Sequence, residues 1–241
     1  MARSLKTKYR FTIAYLALGV LVGAALGTFI VLEKRPGPKP TPPWSSWKPT
    51  DASTGATAQA IASHVGGAYR LPDGRQLARV VAGAPAQVSS NVEAIALADS
   101  PGRVTVYPTN GTILYSLCGT EQNCRLGNGS AAAQSEVLRR EVLELALYTL
   151  EYAKASNVAV FSPPVQGVSG SSSVFFFPRE DFSSQLHHPL SLTLPHGRLV
   201  GHGRVDPREL QTIDALTGGR RFHFDVETVQ NRRVLLLQPI A

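Results

Sequence analysis

Cys118 and Cys124 are the only thiols in the chain and stand six positions apart in the run CGTEQNC. In an oxidising compartment a pair this close is expected to be joined. Closing so short a loop stabilises a fold by about 2 kcal/mol on the chain-entropy account. Redox exchange favours a two-residue spacing, and a zinc site would need further Cys or His ligands beside them. A structural disulfide between Cys118 and Cys124 is therefore the expected chemistry.

The histidines invite a metal reading, since His187, His188, His196 and His202 crowd together. No HxH, HExxH or His-x3-His spacing occurs among them, and adjacent histidines on one element point apart. Solvent-facing loop histidines are the better account, and no metal site is expected. Gly167-Val168-Ser169-Gly170-Ser171 approaches the GxSxG nucleophile elbow but lacks glycine at the fifth position. A flexible Gly/Ser-rich loop is the default reading. Gly201 and Gly203 in GHGRVD lack the third glycine and the strand–loop–helix frame of a dinucleotide loop. Asn110-Gly111-Thr112 and Asn128-Gly129-Ser130 match the glycosylation acceptor pattern, although Asn-Gly is better explained as a turn. No catalytic residue and no cofactor is expected from these motifs.

The elements that carry these residues begin with FTIAYLALGVLVGAALGTFIVL, residues 11–32, which holds no charge. As a helix it would be about 33 Å long, matching a hydrocarbon core of about 30 Å. A cleaved signal peptide is the competing reading, with small residues at Ala25-Leu26-Gly27. The apolar run nevertheless continues past Gly27, which favours a transmembrane helix embedded in lipid. Lys and Arg before and after the run place residues 1–10 in the cytoplasm as a basic tail, with the C-terminal domain extracytoplasmic. The expected location is thus the cell membrane, single-pass. Gly19, Gly23 and Gly27 share one face and would let a second helix approach closely, from another membrane protein or a second copy. Glycine is also simply common in membrane helices.

The formal net charge of +7 is concentrated in residues 1–40, where seven Lys/Arg face one acid, Glu33. The remainder carries +1, too little for a nucleic-acid surface, which must neutralise phosphates where it binds. No nucleic-acid partner is expected. After Lys48 the only lysine is Lys154. Together with the Ala, Gly, Pro and Arg usage, this is the flavour of a GC-rich bacterial genome.

Residues 33–50 form a Pro-rich linker, extended and semi-rigid because proline fixes φ and removes a donor. Trp44 and Trp47 within it would either anchor at the membrane interface or pack on the domain. Residues 51–241 read as one globular α+β domain. Asp51–Val65 predicts a helix ended by Gly66-Gly67, and Tyr69–Gly83 predicts a hairpin turning at Pro72-Asp73-Gly74. Residues 93–98, 103–107 and 112–118 predict strands. Residues 130–156 predict a long helix whose apolar positions cover more than half its circumference. It should therefore be central, packed on a largely antiparallel sheet. Arg140 lies four residues from both Glu136 and Glu144, where side chains meet. Residues 157–161 and 174–177 predict buried strands, and 180–194 helix or irregular structure broken at Pro189. A short helix follows from Pro207 with Asp206 as its cap, and a hairpin turning at Gln230-Asn231 closes the chain.

The function expected from this arrangement is a membrane-tethered interaction or scaffold domain of the bacterial cell envelope. A membrane-anchored envelope hydrolase and a small-ligand-binding domain are the alternatives. A concave pocket with converging acid, base and nucleophile would mark the hydrolase.

Overall fold

The computed structural model describes residues 4–33, 42–50, 53–71, 74–86, 88, 92–100, 103–119, 124, 126, 131–163, 173–195 and 205–240. Most of the Pro-rich linker lies outside the described residues. So do Pro72-Asp73, Asn128, the 167–171 loop, His196, Gly201, His202 and Gly203. Two compact units result, Met1–Pro42 and Pro43–Ala241.

The first unit is a single helix, α1 (Ser4–Glu33). Its stretch Thr12–Phe29 has a mean hydropathy of 1.9 and exposed side chains, and it is long and apolar enough to cross a membrane. The hydroxyl of Thr28 donates to the carbonyls of Ala24 and Ala25, so the helix satisfies this polar group internally.

The second unit is a mixed α+β domain built on an eight-stranded sheet. Its strands are β1 (Ala78–Ala82), β2 (Val92–Ser100), β3 (Arg103–Pro108), β4 (Thr112–Gly119), β5 (Asn157–Ser162), β6 (Ser173–Pro178), β7 (Arg221–Val229) and β8 (Arg232–Pro239). They lie in the order β1-β4-β5-β6-β7-β8-β2-β3. The β4–β5 and β2–β8 pairs are parallel, and the other five joints are antiparallel. A parallel neighbour requires a crossover, which α3 (Ala131–Tyr152) supplies between β4 and β5.

Side-chain alternation splits the sheet between two cores. Tyr115, Val158, Val160, Phe175 and Phe177 point to the side holding α2 (Thr54–Ala68), α3 and α6 (Pro207–Thr217). Ala159, Phe161, Val174 and Phe176 point the other way, towards Ile95, Phe222, Leu235 and Leu237. The sheet bends back to build this second core. Tyr107 on β3 meets Phe176 on β6 with ring centroids 5.0 Å apart, although three strands separate them along the sheet. VFFF is thus a strand covered on both faces, and β5 and β6 are buried throughout.

α3 is the centre of the helical core. Leu143, Leu145, Ala146, Leu147 and Leu150 are all inaccessible, so the helix has no solvent stripe along its middle. The chain leaves it through Lys154 at φ 52. On the same side, a 3₁₀ turn (Arg179–Phe182) leads into α4 (Ser183–His187) and α5 (Leu190–Thr193), separated at Pro189.

Two local expectations are corrected. α2 does not end at Gly66-Gly67 but runs to Ala68, with Ser53 capping its start. Gly66 sits inside the helix because the helix lies against β1, where a Cβ on residue 66 would stand 2.9 Å from Val80 Cγ2. The 69–83 hairpin also fails to form as a ladder. Arg70 and Gln76 make one isolated bridge, and β1 pairs with β4 instead. The closing hairpin does form, turning through Gln230 and Asn231, both at positive φ.

Candidate functional site

Residues Arg140, Glu144 and Tyr148 recur every four positions and so share one face of α3. That face meets the C-terminal end of α2, the first turn of α6 and the segment Pro43–Trp47. This face, the end of α2, Pro43–Ser46 and the α5 region line an open cavity of about 790 Å³.

Two of its lining residues, Arg140 and Glu144, belong to a buried polar cluster. Arg140 is 2% exposed, and its Nε donates to Glu209 Oε1 at 2.9 Å. Its Nη2 lies equally close to the same oxygen. Nη1 donates to Glu144 Oε2 at 3.0 Å and to the hydroxyl of Tyr69, which in turn donates to Glu144 Oε2 at 2.5 Å. Each partner arrives by a different route: Tyr69 follows the last residue of α2, and Glu209 occupies the first turn of α6 behind the Asp206 cap.

Burial sets the electrostatics. It pushes the Tyr69 hydroxyl well above its ordinary value, with the neighbouring Glu144 charge adding to the effect. Burial also raises the Glu144 carboxyl, against the opposing pull of Arg140. For Arg140 itself burial works against the charge, and Tyr69, Glu144 and Glu209 outweigh it, so the guanidinium stays firmly protonated. Glu141 is the outlier. It is inaccessible, neither carboxyl oxygen has a hydrogen-bond partner, and burial followed by the Glu144 charge pushes it well above the carboxylate range. A protonated, neutral side chain is the form such a site tolerates.

Trp44, His64 and Tyr148 are the aromatic part of the lining. Trp44 stands edge-on to Tyr148 at 5.5 Å between centroids, and Trp47 stacks on His64 at 3.9 Å. Of the two roles open to these tryptophans, packing on the domain is the one observed. Trp44 Nε1 donates to the Gln185 carbonyl, and its own carbonyl accepts from Leu190 N at 2.7 Å. Burial lowers the pKa of His64, favouring its neutral form. His64 is engaged by ring stacking and makes no hydrogen bond to a serine among the described residues.

The motif residues lie elsewhere. Cys118 and Cys124 form a disulfide, with Cα atoms 4.4 Å apart. Gly19, Gly23 and Gly27 sit on α1 with open space where each Cβ would stand. His187 and His188 are exposed, and each hydrogen-bonds a carbonyl one turn back in its own helix. Among the described residues no cluster of three His, Cys, Asp or Glu is placed to hold a metal ion.

Sequence reasoning found the four-residue spacing of Arg140 and Glu144, on a helix expected to be central. It missed Tyr69, Glu141 and Glu209. The available signal was the density of charge on a helix whose apolar positions already filled most of its circumference, leaving those charges no water to face. No protein family, curated protein or solved structure matches the chain.

Proposed function

We propose that this chain is a membrane-tethered, extracytoplasmic domain of the bacterial cell envelope that acts by binding, with the cavity beside Arg140 and Glu144 as its binding site. The observation that carries the reading is the cavity itself. It is lined by the Arg140–Glu144 ion pair and by the rings of Trp44, His64 and Tyr148, and its mouth opens to solvent. Apolar walls with a few convergent polar groups are the usual make-up of a ligand site. Holding charges in a protein interior is a poor way to gain stability, so a buried cluster against a cavity points to recognition.

The tether is argued from α1, from the uncharged run 11–32 that meets lipid, and from the basic residues flanking it. The Cys118–Cys124 bond suits an oxidising compartment outside the membrane. The glycine face of α1 offers a packing surface for the helix of a membrane-protein partner or of a second copy.

The test is thermal unfolding of the detergent-solubilised full chain against a panel of small polar molecules. A ligand at a hundred times its Kd stabilises by about 2.7 kcal/mol, a clear upward shift in melting temperature. Ser191→Trp, which plugs the cavity from its rim, should abolish the shift. A panel that leaves the wild type and the plugged variant indistinguishable would overturn the reading.

A further inference from the structure

Away from the cavity, one end of the sheet carries two buried serines beside two arginines. β5 stops at Ser162 and β6 begins at Ser173, its partner across the ladder. Arg221, at the start of β7, lies opposite Phe175. By strand alternation Ser162, Ser173 and Arg221 therefore share the helix-bearing side of the sheet with Phe175. Both serines are buried. The Ser162 hydroxyl donates to the Ser173 carbonyl at 3.3 Å, and the two hydroxyl oxygens stand 2.8 Å apart. Arg221 Nε donates to Ser173 Oγ at 2.8 Å, which leaves the Ser173 proton for Ser162 Oγ. This chain of bonds holds the half-buried guanidinium in one place.

The far side of that guanidinium is unused. Its two terminal nitrogens make no hydrogen bond among the described residues, and solvent reaches them. No carboxylate among those residues pairs with Arg221: Asp181 is taken by Arg220, and Asp214 by Arg139. A second cation acts on it instead. Burial, and after it the charge of Arg139 on α3, pulls the Arg221 pKa below its ordinary value. Arg139 Nε is itself buried without a hydrogen-bond partner. Asp214 thus engages one of two neighbouring guanidinium groups, and positive charge and donors are left over. A cation would add to the repulsion, and a neutral ligand would leave it in place. An oxyanion would relieve it and accept from both planar forks, the geometry in which guanidinium binds carboxylate and phosphate.

We infer that Arg139 and Arg221 form a seat for an oxyanion group, phosphate or carboxylate, at the end of the sheet where β5 stops and β6 and β7 begin. Ser162 and Ser173 are positioning residues, which aim the Arg221 fork. None of the four lines the cavity beside Glu144, so this seat does not depend on what that cavity binds.

The experiment is isothermal titration of the full chain in detergent with inorganic phosphate, acetate and chloride at matched ionic strength. Phosphate or acetate should bind saturably and chloride should not, the tighter of the two oxyanions naming the group. Arg221→Gln should weaken that binding by about tenfold or more, the loss of charge-assisted hydrogen bonds. Arg221→Lys keeps the charge without the fork or the bond to Ser173, and should weaken it as well. Thermal unfolding of each variant checks that it is folded, and Arg139→Gln supplies a second route to the same loss from α3. Ser191→Trp, which plugs the cavity, should leave oxyanion affinity unchanged. Full affinity in folded Arg221→Lys would reduce the seat to unspecific charge and overturn it, as would binding of neither oxyanion to the wild type. Oxyanion affinity lost in Ser191→Trp would place the anion in the cavity, overturning this seat while leaving the cavity as a binding site.

Discussion

Replacing Arg140 with methionine isolates the energetics of the buried cluster. The side chain keeps its approximate reach along the apolar part of α3 but loses the charge that Glu144 and Glu209 face. Two carboxylates then share a dry interior with a third, Glu141, already pushed well above its ordinary range. Leaving one partner of a buried ion pair uncompensated costs about 3–5 kcal/mol. For a domain of this size, that corresponds to a melting temperature lower by about 6–20 °C. The sign with pH follows from the same groups. In the variant the folded-state pKa of Glu144, already raised by burial, rises further, so the destabilisation is fullest at neutral pH. It should shrink as the carboxylates are protonated towards about pH 4.3. The triple replacement Arg140→Met, Glu144→Leu, Glu209→Leu removes all three charges together and should recover most of the loss. Thermal unfolding of the full chain from pH 4.5 to 8, with the disulfide intact, measures all of this. A single-variant loss below about 1 kcal/mol, or one that does not vary with pH, would refute the view that this cluster is desolvated.

Further outcomes follow from individual residues. Glu141→Gln should stabilise the domain at neutral pH. A carboxyl whose folded pKa is raised favours the fold below its unfolded pKa, about 4.3, and loses that contribution as pH climbs through the folded value. The wild-type decline over that range should flatten in the variant when unfolding is followed against pH. Gly66→Val and Gly67→Ala should have opposite signs in denaturant unfolding. The first drives side-chain atoms into Val80 and costs about 1–3 kcal/mol, whereas the second meets open space and gains up to about 1 kcal/mol of helix propensity. Cysteines of the protein taken from its native membrane should resist maleimide until reduced, and Cys118→Ser with Cys124→Ser should lower stability by about 2 kcal/mol.

Local chemistry was legible in the sequence where it alone decides the structure. Asp206 and Pro207 start α6 because cap and first-turn preferences act within a few residues. The crowded apolar positions of α3 announced a central helix buried on more than one side. Turn residues fixed the turns, but strand pairing was settled elsewhere. Pro72-Asp73-Gly74 reads as a hairpin, yet β1 gains more by lying between β4 and the underside of α2, where Val80 meets Gly66. The order of eight strands, and the curl that sets Tyr107 on Phe176, depend on long-range packing that no local pattern encodes. The same holds for the candidate site. The four-residue spacing of Arg140 and Glu144 was visible, but Tyr69 and Glu209 come from other helices and are brought in only by the packing of α2 and α6 on α3.

The proposed extracytoplasmic placement requires that α1 crosses a bilayer and that the domain lies on its outer side. Protease treatment of intact spheroplasts, followed by detection of tags at each end of the chain, measures this directly. The account predicts that the C-terminal tag is digested without lysis, while an N-terminal fragment reaching past residue 32 stays with the alkali-washed membrane. A C-terminal tag protected until lysis, or full-length chain released by the alkaline wash, would contradict it.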